Sequence, residues 1–231
     1  MKKKILLGLL IIIGLFTITG CGKNASTTNE TIPEITGVNF KTEKNKLEQG
    51  DTIEITFGTG TETYTEKFMI LKVADNQIAA MPYYNITQST SDPKQSSNQI
   101  ETGTLAFASS KYWNEVGINI DMENSLNNIE QYIAAYSTKL SSETAGKVTA
   151  TIARYYGEEI DNISSFHGKT NSEGVKLLNP SGTGNYWIGS TDDYQSSYVR
   201  DVFESGNFGQ CNVNYCSDSN GIRPIIIIDI S

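Results

Sequence analysis

Hydrophobic and polar residues change rhythm several times along this chain. Residues 5–16 are an uncharged apolar stretch, residues 22–34 are nearly free of large apolar groups, and from residue 52 the pattern turns periodic. Thr52-Ile53-Glu54-Ile55-Thr56-Phe57 alternates polar and apolar at period two, as a half-buried strand does. Glu66 to Val73 and Gln77 to Met81 are apolar runs separated by Ala74-Asp75-Asn76, which predicts a hairpin. Residues 85–103 are polar and turn-rich and read as a long surface loop. A three- to four-residue period follows. Leu126, Ile129, Ile133, Tyr136 and Leu140 define the apolar face of a helix, broadened by Tyr132 and capped by Asn124 or Ser125.

The second half is more broken. Val148 to Ala153 is rich in β-branched residues and predicts a strand, and Tyr155 to Ile163 a second, short helix. Glu158 and Glu159 on such a helix point about 100° apart and cannot flank one bond as an acid pair. Ser164 to Asn185 is loop-like, Tyr186-Trp187-Ile188 and Tyr198 to Phe203 are short strands, and a Gly206–Gly209 turn precedes a loop holding Cys211 and Cys216. Ile225 to Ile230 is the most apolar run after the first twenty residues. It is expected to be a central strand covered on both faces, with Pro224 at its first position, where a missing N–H is tolerated. The order of elements implies an α+β fold: a mixed or mostly antiparallel sheet, one long and one short helix, and long C-terminal loops. With no internal repeat and no second linker, residues 35–231 are expected to form a single domain.

Charge and composition then narrow the functions. Removing the three lysines of residues 1–20 from a net charge of −8 leaves −11, which lacks the basic footprint of a nucleic-acid binder. A single histidine, His167, leaves little room for a His-based zinc site or a Ser-His-Asp triad. It lies in a Ser/Gly-rich stretch with no Gly-x-Ser-x-Gly context and reads as a solvated loop residue. No catalytic residue or metal ligand set is assigned.

The start of the chain reads as an address. Lys2, Lys3 and Lys4 precede the apolar stretch Ile5 to Phe16, which falls short of the roughly 20 residues of a membrane-spanning helix. Ile18-Thr19-Gly20-Cys21 resembles the bacterial lipobox. That resemblance implies that residues 1–20 are a lipoprotein signal peptide. It also implies that the Cys21 thiol takes a diacylglyceryl group and that cleavage falls before Cys21. Two acyl chains at about 0.8 kcal/mol per buried CH₂ hold a protein stably on a bilayer. The expected location is the outer face of the cytoplasmic membrane, with residues 21–34 as a flexible tether. Cys211 and Cys216 remain as an even pair, which in an oxidising exterior usually bridges; a metal site or a redox pair is the alternative.

Toward the C-terminus the residues take on a recognisable form. Asn185-Tyr186-Trp187-Ile188-Gly189-Ser190, Tyr198-Val199-Arg200-Asp201-Val202 and Gly221-Ile222-Arg223-Pro224-Ile225 resemble a domain of exported proteins of low-GC Gram-positive bacteria. Its signature is Tyr-Trp-Leu-Gly-Ser followed by Gly-Val-Arg-Pro, carried here by Trp187, Gly221, Arg223 and Pro224. Phe68 to Leu71 with Ala79 to Met81 looks like its opening hairpin, so the resemblance spans about residues 50–231. The domain is distantly similar to the C-type lectin-like and formylglycine-generating folds. That implies a C-type lectin-like α+β architecture but no settled activity. Tyr186 and Trp187 are expected in the core, and Arg223 is expected to pair with an internal carboxylate.

Three functional readings follow. The first is a non-enzymatic binding module for a glycan, cell-wall or protein ligand, using loops around Gly189 to Asn220. Tyr194, Tyr215, Asp192 and Asp193 are its expected contacts. Oxygens of Asp192, Asp193, Asp201, Glu204 and Asp218 leave Ca²⁺ open, but the Glu-Pro-Asn and Trp-Asn-Asp motifs of calcium-dependent sugar binders are absent. No cofactor is therefore assigned. The second is a thiol- or metal-dependent enzyme of formylglycine-generating type, using Cys211 and Cys216, since two thiolates can hold a soft ion. The third is a passive envelope or assembly component.

Overall fold

The computed structural model describes residues 38–39, 47–59, 62–74, 76–98, 122–156, 160–191, 198–212 and 220–231. All lie within one unit, Thr31–Ser231. A six-stranded sheet is built from β1 (Val38–Asn39), β2 (Thr52–Thr59), β3 (Glu62–Val73), β4 (Gln77–Pro82), β5 (Val148–Thr151) and β10 (Ile225–Asp229). Its order is β1-β2-β3-β4-β10-β5, antiparallel throughout. A second sheet holds β6 (Tyr186–Thr191), β7 (Tyr198–Val202), β8 (Phe208–Asn212) and β9 (Gly221–Ile222) in the order β8-β7-β6-β9. Only the β6–β9 pair is parallel. With the helix α1 (Met122–Glu143), this is an α+β chain dominated by antiparallel sheet.

Burial explains the periodicities. In β2, Ile53, Ile55 and Phe57 are buried while Thr52, Glu54 and Thr56 are half-buried. The helix lays Ile129, Ile133, Tyr136 and Leu140 on the same core as Ile53, Phe68, Ile226 and Ile228. The other face of the large sheet, through Met69, Leu71, Ala79, Met81 and Ile225, joins Tyr186, Ile188 and Val202 of the second sheet. Strand β10 thus has apolar cover on both faces, which is why its sequence is continuous rather than alternating. The helix ends where Ala145 and Gly146 turn to positive φ (50° and 84°) and the Gly146 N–H returns to the Ser141 carbonyl at 2.8 Å.

Several expectations are corrected. The helix begins at Met122, so Asn124 and Ser125 lie inside it rather than at its cap. No second helix forms in the described part of 155–163. Tyr155 and Tyr156 are in bends, and Arg154 instead makes a bridge with Asn162, its N–H donating to the Asp161 carbonyl at 2.9 Å. Glu158 and Glu159 lie outside the described residues. The expected Gly206–Gly209 turn is shifted: it closes at Gly206, whose N–H donates to the Phe203 carbonyl at 2.8 Å, and Gly209 belongs to β8. Cys211 also belongs to β8 and not to a loop. Pro224 precedes β10 rather than opening it. Ile86, in the expected surface loop, is fully buried and bridges to Gln95 and Ile222; residues 99–103 lie outside the description.

Candidate functional site

The signature residues meet where the two sheets join. Trp187 is 2% exposed and Tyr186 fully buried, so both are core. Arg223, 1% exposed, does not pair with a carboxylate among the described residues. Its Nε donates to Asn85 Oδ1 at 3.0 Å, its Nη1 to Asn179 Oδ1 at 2.7 Å and its Nη2 to the Thr183 carbonyl at 3.0 Å. The guanidinium also lies 5.0 Å from the Tyr186 ring centroid. Burial lowers its pKa to about 10, so it stays charged at neutral pH. Three neutral oxygens therefore solvate a buried cation. The latch extends outward: Asn85 Nδ2 donates to the Asn185 carbonyl, Asn179 Nδ2 to the Gly184 carbonyl, and the Gly221 N–H to the Asn185 carbonyl. Pro224, also buried, follows directly. Arg223 thus ties residues 85, 179 and 183–185 to the β9–β10 junction.

Asp201, at the centre of the second sheet, is 4% exposed. Its Oδ2 accepts from Asn220 Nδ2 at 2.9 Å, while Oδ1 has no hydrogen-bond partner. Burial raises its carboxyl above the ordinary carboxylate range, against the Asn220 hydrogen bond. It pairs across the strands with Gly209, where a Cβ would stand 2.4 Å from Asp201 Oδ1 and 2.2 Å from Phe203 Cζ. Only glycine fits there. Glu204 is exposed; its Oε1 accepts from the Gly184 N–H at 3.2 Å.

A further buried carboxylate lies under the helix. Glu66 faces inward beside Ile55, and its Oε2 accepts from the Tyr136 hydroxyl, its Oε1 from the Gln95 N–H at 2.7 Å. Burial raises the Glu66 carboxyl, although the Tyr136 and Gln95 hydrogen bonds pull it down. Around it, the Tyr64 hydroxyl donates to Glu143 Oε2 at 3.0 Å, and Lys139 reaches Asp92 Oδ1 at 3.0 Å. These contacts fasten residues 92–95 to β3 and α1. No spacing in the sequence announced this cluster, because Glu66 sits within an apolar run.

The second sheet also frames the expected ligand loops. Thr191 pairs with Val199 and Tyr198 with Asn212, so the ends of β6, β7 and β8 stand side by side at one end of the sheet. Segments 192–197 and 213–219 leave from those ends. Asp192, Asp193, Tyr194, Tyr215, Asp218, Cys216 and Cys21 lie outside the described residues. Cys211 is in register with Val199. His167 is exposed and accepts the Phe208 N–H at Nδ1 at 3.3 Å. Among the described residues, no group of three or more His, Cys, Asp or Glu is placed to hold a metal ion.

No protein-family model, curated protein or solved structure matches the chain.

Proposed function

We propose that this chain is a lipid-anchored protein of the outer face of a bacterial cytoplasmic membrane, whose C-type lectin-like domain binds a glycan, cell-wall or protein ligand without catalysis. The observation that carries the reading is the convergence of Thr191, Tyr198 and Asn212 at one end of the second sheet. Two polar segments that carry Asp192, Asp193, Tyr194 and Tyr215 start from that end. Ligand-binding loops need a rigid base, and the paired strands β6, β7 and β8 supply one. The lectin-like assignment is supported by the Trp187, Gly221, Arg223 and Pro224 signature and by the pairing of the last strand, β10, between β4 and β5. Tyr at 194 and 215 brings apolar area with a hydroxyl at small entropic cost.

The test uses the full chain in detergent on an array of glycans and cell-wall fragments, with and without Ca²⁺. Saturable binding that is lost in the Tyr194→Ala/Tyr215→Ala double variant, with unchanged circular dichroism, supports the reading. Binding that survives both changes removes these loops from the ligand surface. A turnover activity that disappears in Cys211→Ser overturns the non-catalytic assignment in favour of the thiol enzyme.

A further inference from the structure

We propose that Glu66 is a protonation switch for the limb of residues 87–98, which sits closed over the neutral carboxyl and lifts when the carboxyl ionises. The limb is a surface arm folded on itself. The Thr87 N–H donates to the Lys94 carbonyl at 2.8 Å, the Asp92 N–H to Ser89 Oγ at 3.0 Å, and the Ser96 N–H to the Asn85 carbonyl at 3.0 Å. What seats the arm on β3 and α1 is polar. Gln95 donates its N–H to Glu66 Oε1 at 2.7 Å and its Nε2 to the Lys67 carbonyl at 3.1 Å, and its Oε1 accepts the Tyr84 N–H at 3.1 Å. Asp92 adds a contact with Lys139 at 3.0 Å. Ile86 belongs to the apolar core, but no residue of 87–98 does, and Pro93 alone of them is buried. The arm can therefore leave without opening either core, which places it at the low-stability end of the fold.

Glu66 lies beneath this arm at 5% exposure, between β3, α1 and Gln95. Its Oε2 accepts the Tyr136 hydroxyl and, at 3.4 Å, Gln95 Nε2. The titratable and charged groups around it are Tyr64 on β3, Tyr136, Lys139 and Glu143 on α1, and Asp92 and Lys94 on the arm. Among the described residues no cation pairs with it. Lys139 and Lys94 both reach Asp92, at 3.0 and 2.9 Å, and Glu143 accepts the Tyr64 hydroxyl. Three hydrogen bonds support a carboxylate here, but with no counter-charge burial dominates and raises the Glu66 carboxyl above its ordinary range. Burial also pushes the Tyr136 phenol up, so it remains a protonated donor at neutral pH.

Of the three covers over Glu66, β3 and α1 carry core residues, so only the arm can move at small cost. Lifting it brings water to the carboxylate and returns the acid to about its ordinary value of 4.3. The seated arm is thus fully favoured below that value, and the preference is lost as pH rises through the raised one. Each unit by which the seated arm raises the acid makes the lifted arm about tenfold more populated once Glu66 is ionised. A change of pH thereby hides or uncovers Glu66 and the Tyr136 hydroxyl while both sheets stay intact.

The experiment follows amide exchange, resolved to residues, in the full chain in detergent from pH 4 to 8. Glu66→Gln at the same pH is the reference, since its carboxamide accepts and donates as the neutral acid does and cancels the intrinsic pH dependence of exchange. The wild-type rate relative to this variant should rise about tenfold or more at Thr87, Gln95 and Ser96 across that range. It should stay constant at Ile86, whose N–H donates to the Ile222 carbonyl at 2.8 Å, and at Ile226 of β10. If Glu66→Gln does not fold, Ile86 of the wild type serves as the reference. Tyr136→Phe removes a donor to the carboxylate, so it should move the midpoint of the rise to higher pH. A flat ratio at Gln95 overturns the switch. So does an equal rise at Ile86 and Ile226, because the whole fold would then be loosening, and so does a midpoint that Tyr136→Phe leaves in place.

Discussion

Replacing Arg223 tests how a buried cation is held without a counter-charge. Burial lowers its pKa to about 10, which corresponds to roughly 3 kcal/mol against the charged form. Three hydrogen bonds from the guanidinium offset this, each worth about 1.5–3 kcal/mol for a charged donor. Arg223→Met removes the burial cost and all three bonds, so it should destabilise by about 2–5 kcal/mol. Arg223→Lys keeps a buried charge but reaches one acceptor at best. It should therefore cost about 3–6 kcal/mol, as much as the methionine or more. Urea unfolding at pH 7 and at pH 4 measures both. The folded pKa of this base is depressed, so its burial penalty is constant below about 10 and is relieved only as pH rises through that value. No carboxylate among the described residues faces it, so the difference between wild type and Arg223→Met should be the same at pH 7 and pH 4. A lysine variant within about 0.5 kcal/mol of wild type would refute the directional-bond argument. A methionine penalty that collapses at pH 4 would reveal a carboxylate partner after all.

Glu66→Gln probes the buried carboxylate under the helix. Folding raises the Glu66 carboxyl, so that contribution is fully present below the ordinary value of about 4.3 and is lost as pH climbs through the raised one. Urea midpoints from pH 4 to 8 should show the glutamine variant gaining on wild type with rising pH; a flat difference would show that Glu66 titrates normally. Gly209→Ala should cost about 1–3 kcal/mol by thermal unfolding, because its methyl meets Asp201 and Phe203; a neutral result would mean that Phe203 swings clear. Intact mass of the membrane fraction should show loss of residues 1–20 and a diacylglyceryl adduct on Cys21; an unlipidated product released from wild-type cells counts against the anchor. Non-reducing peptide mapping should find Cys211 joined to Cys216, and two alkylatable thiols in fresh protein would favour the thiol enzyme instead.

How much of the fold the residues announced depends on what each element packs against. Strand β2 alternates because one face is buried, and β10 is continuous because both are. The helix shows its period because one stripe faces the sheet. In each case one large partner surface imposes one rhythm. The described part of 155–163 does pack, with Ile163 in the second core and Tyr155 and Ile160 against it, but its backbone bonds are long-range. The Ile163 N–H, which a helix would direct four residues back, donates instead to the Arg154 carbonyl at 2.9 Å, and the Arg154 N–H returns to the Asp161 carbonyl. Backbone donors committed to distant acceptors cannot also close helical turns, so tertiary pairing overrides the local pattern. The helix start slipped for a related reason. Asn124 and Ser125 are cap types, but so by sequence is Asp121, and local preference alone does not choose among them.

The site was legible only in part, and Arg223 shows why. Its burial follows from its place between a short strand and an apolar one, but its partners do not. Asn85 and Asn179 lie 138 and 44 residues away and carry no charge that would mark them as complements. A carboxylate in their place would have neutralised the guanidinium with one residue. Neutral oxygens need three points of contact, and those points come from two separate segments, around Asn85 and at Asn179–Thr183. Taking the charge away therefore leaves two segments unfastened, whereas a neutralised pair would have left one. That is why the lysine variant is more informative than a charge reversal: it keeps the sign that a carboxylate would require and discards only the geometry that joins residues 85, 179 and 183. If the latch loosens in Arg223→Lys, hydrogen exchange at Gly184 and Gly221 should rise together, because their N–H groups donate to Glu204 and to the Asn185 carbonyl beside the latch.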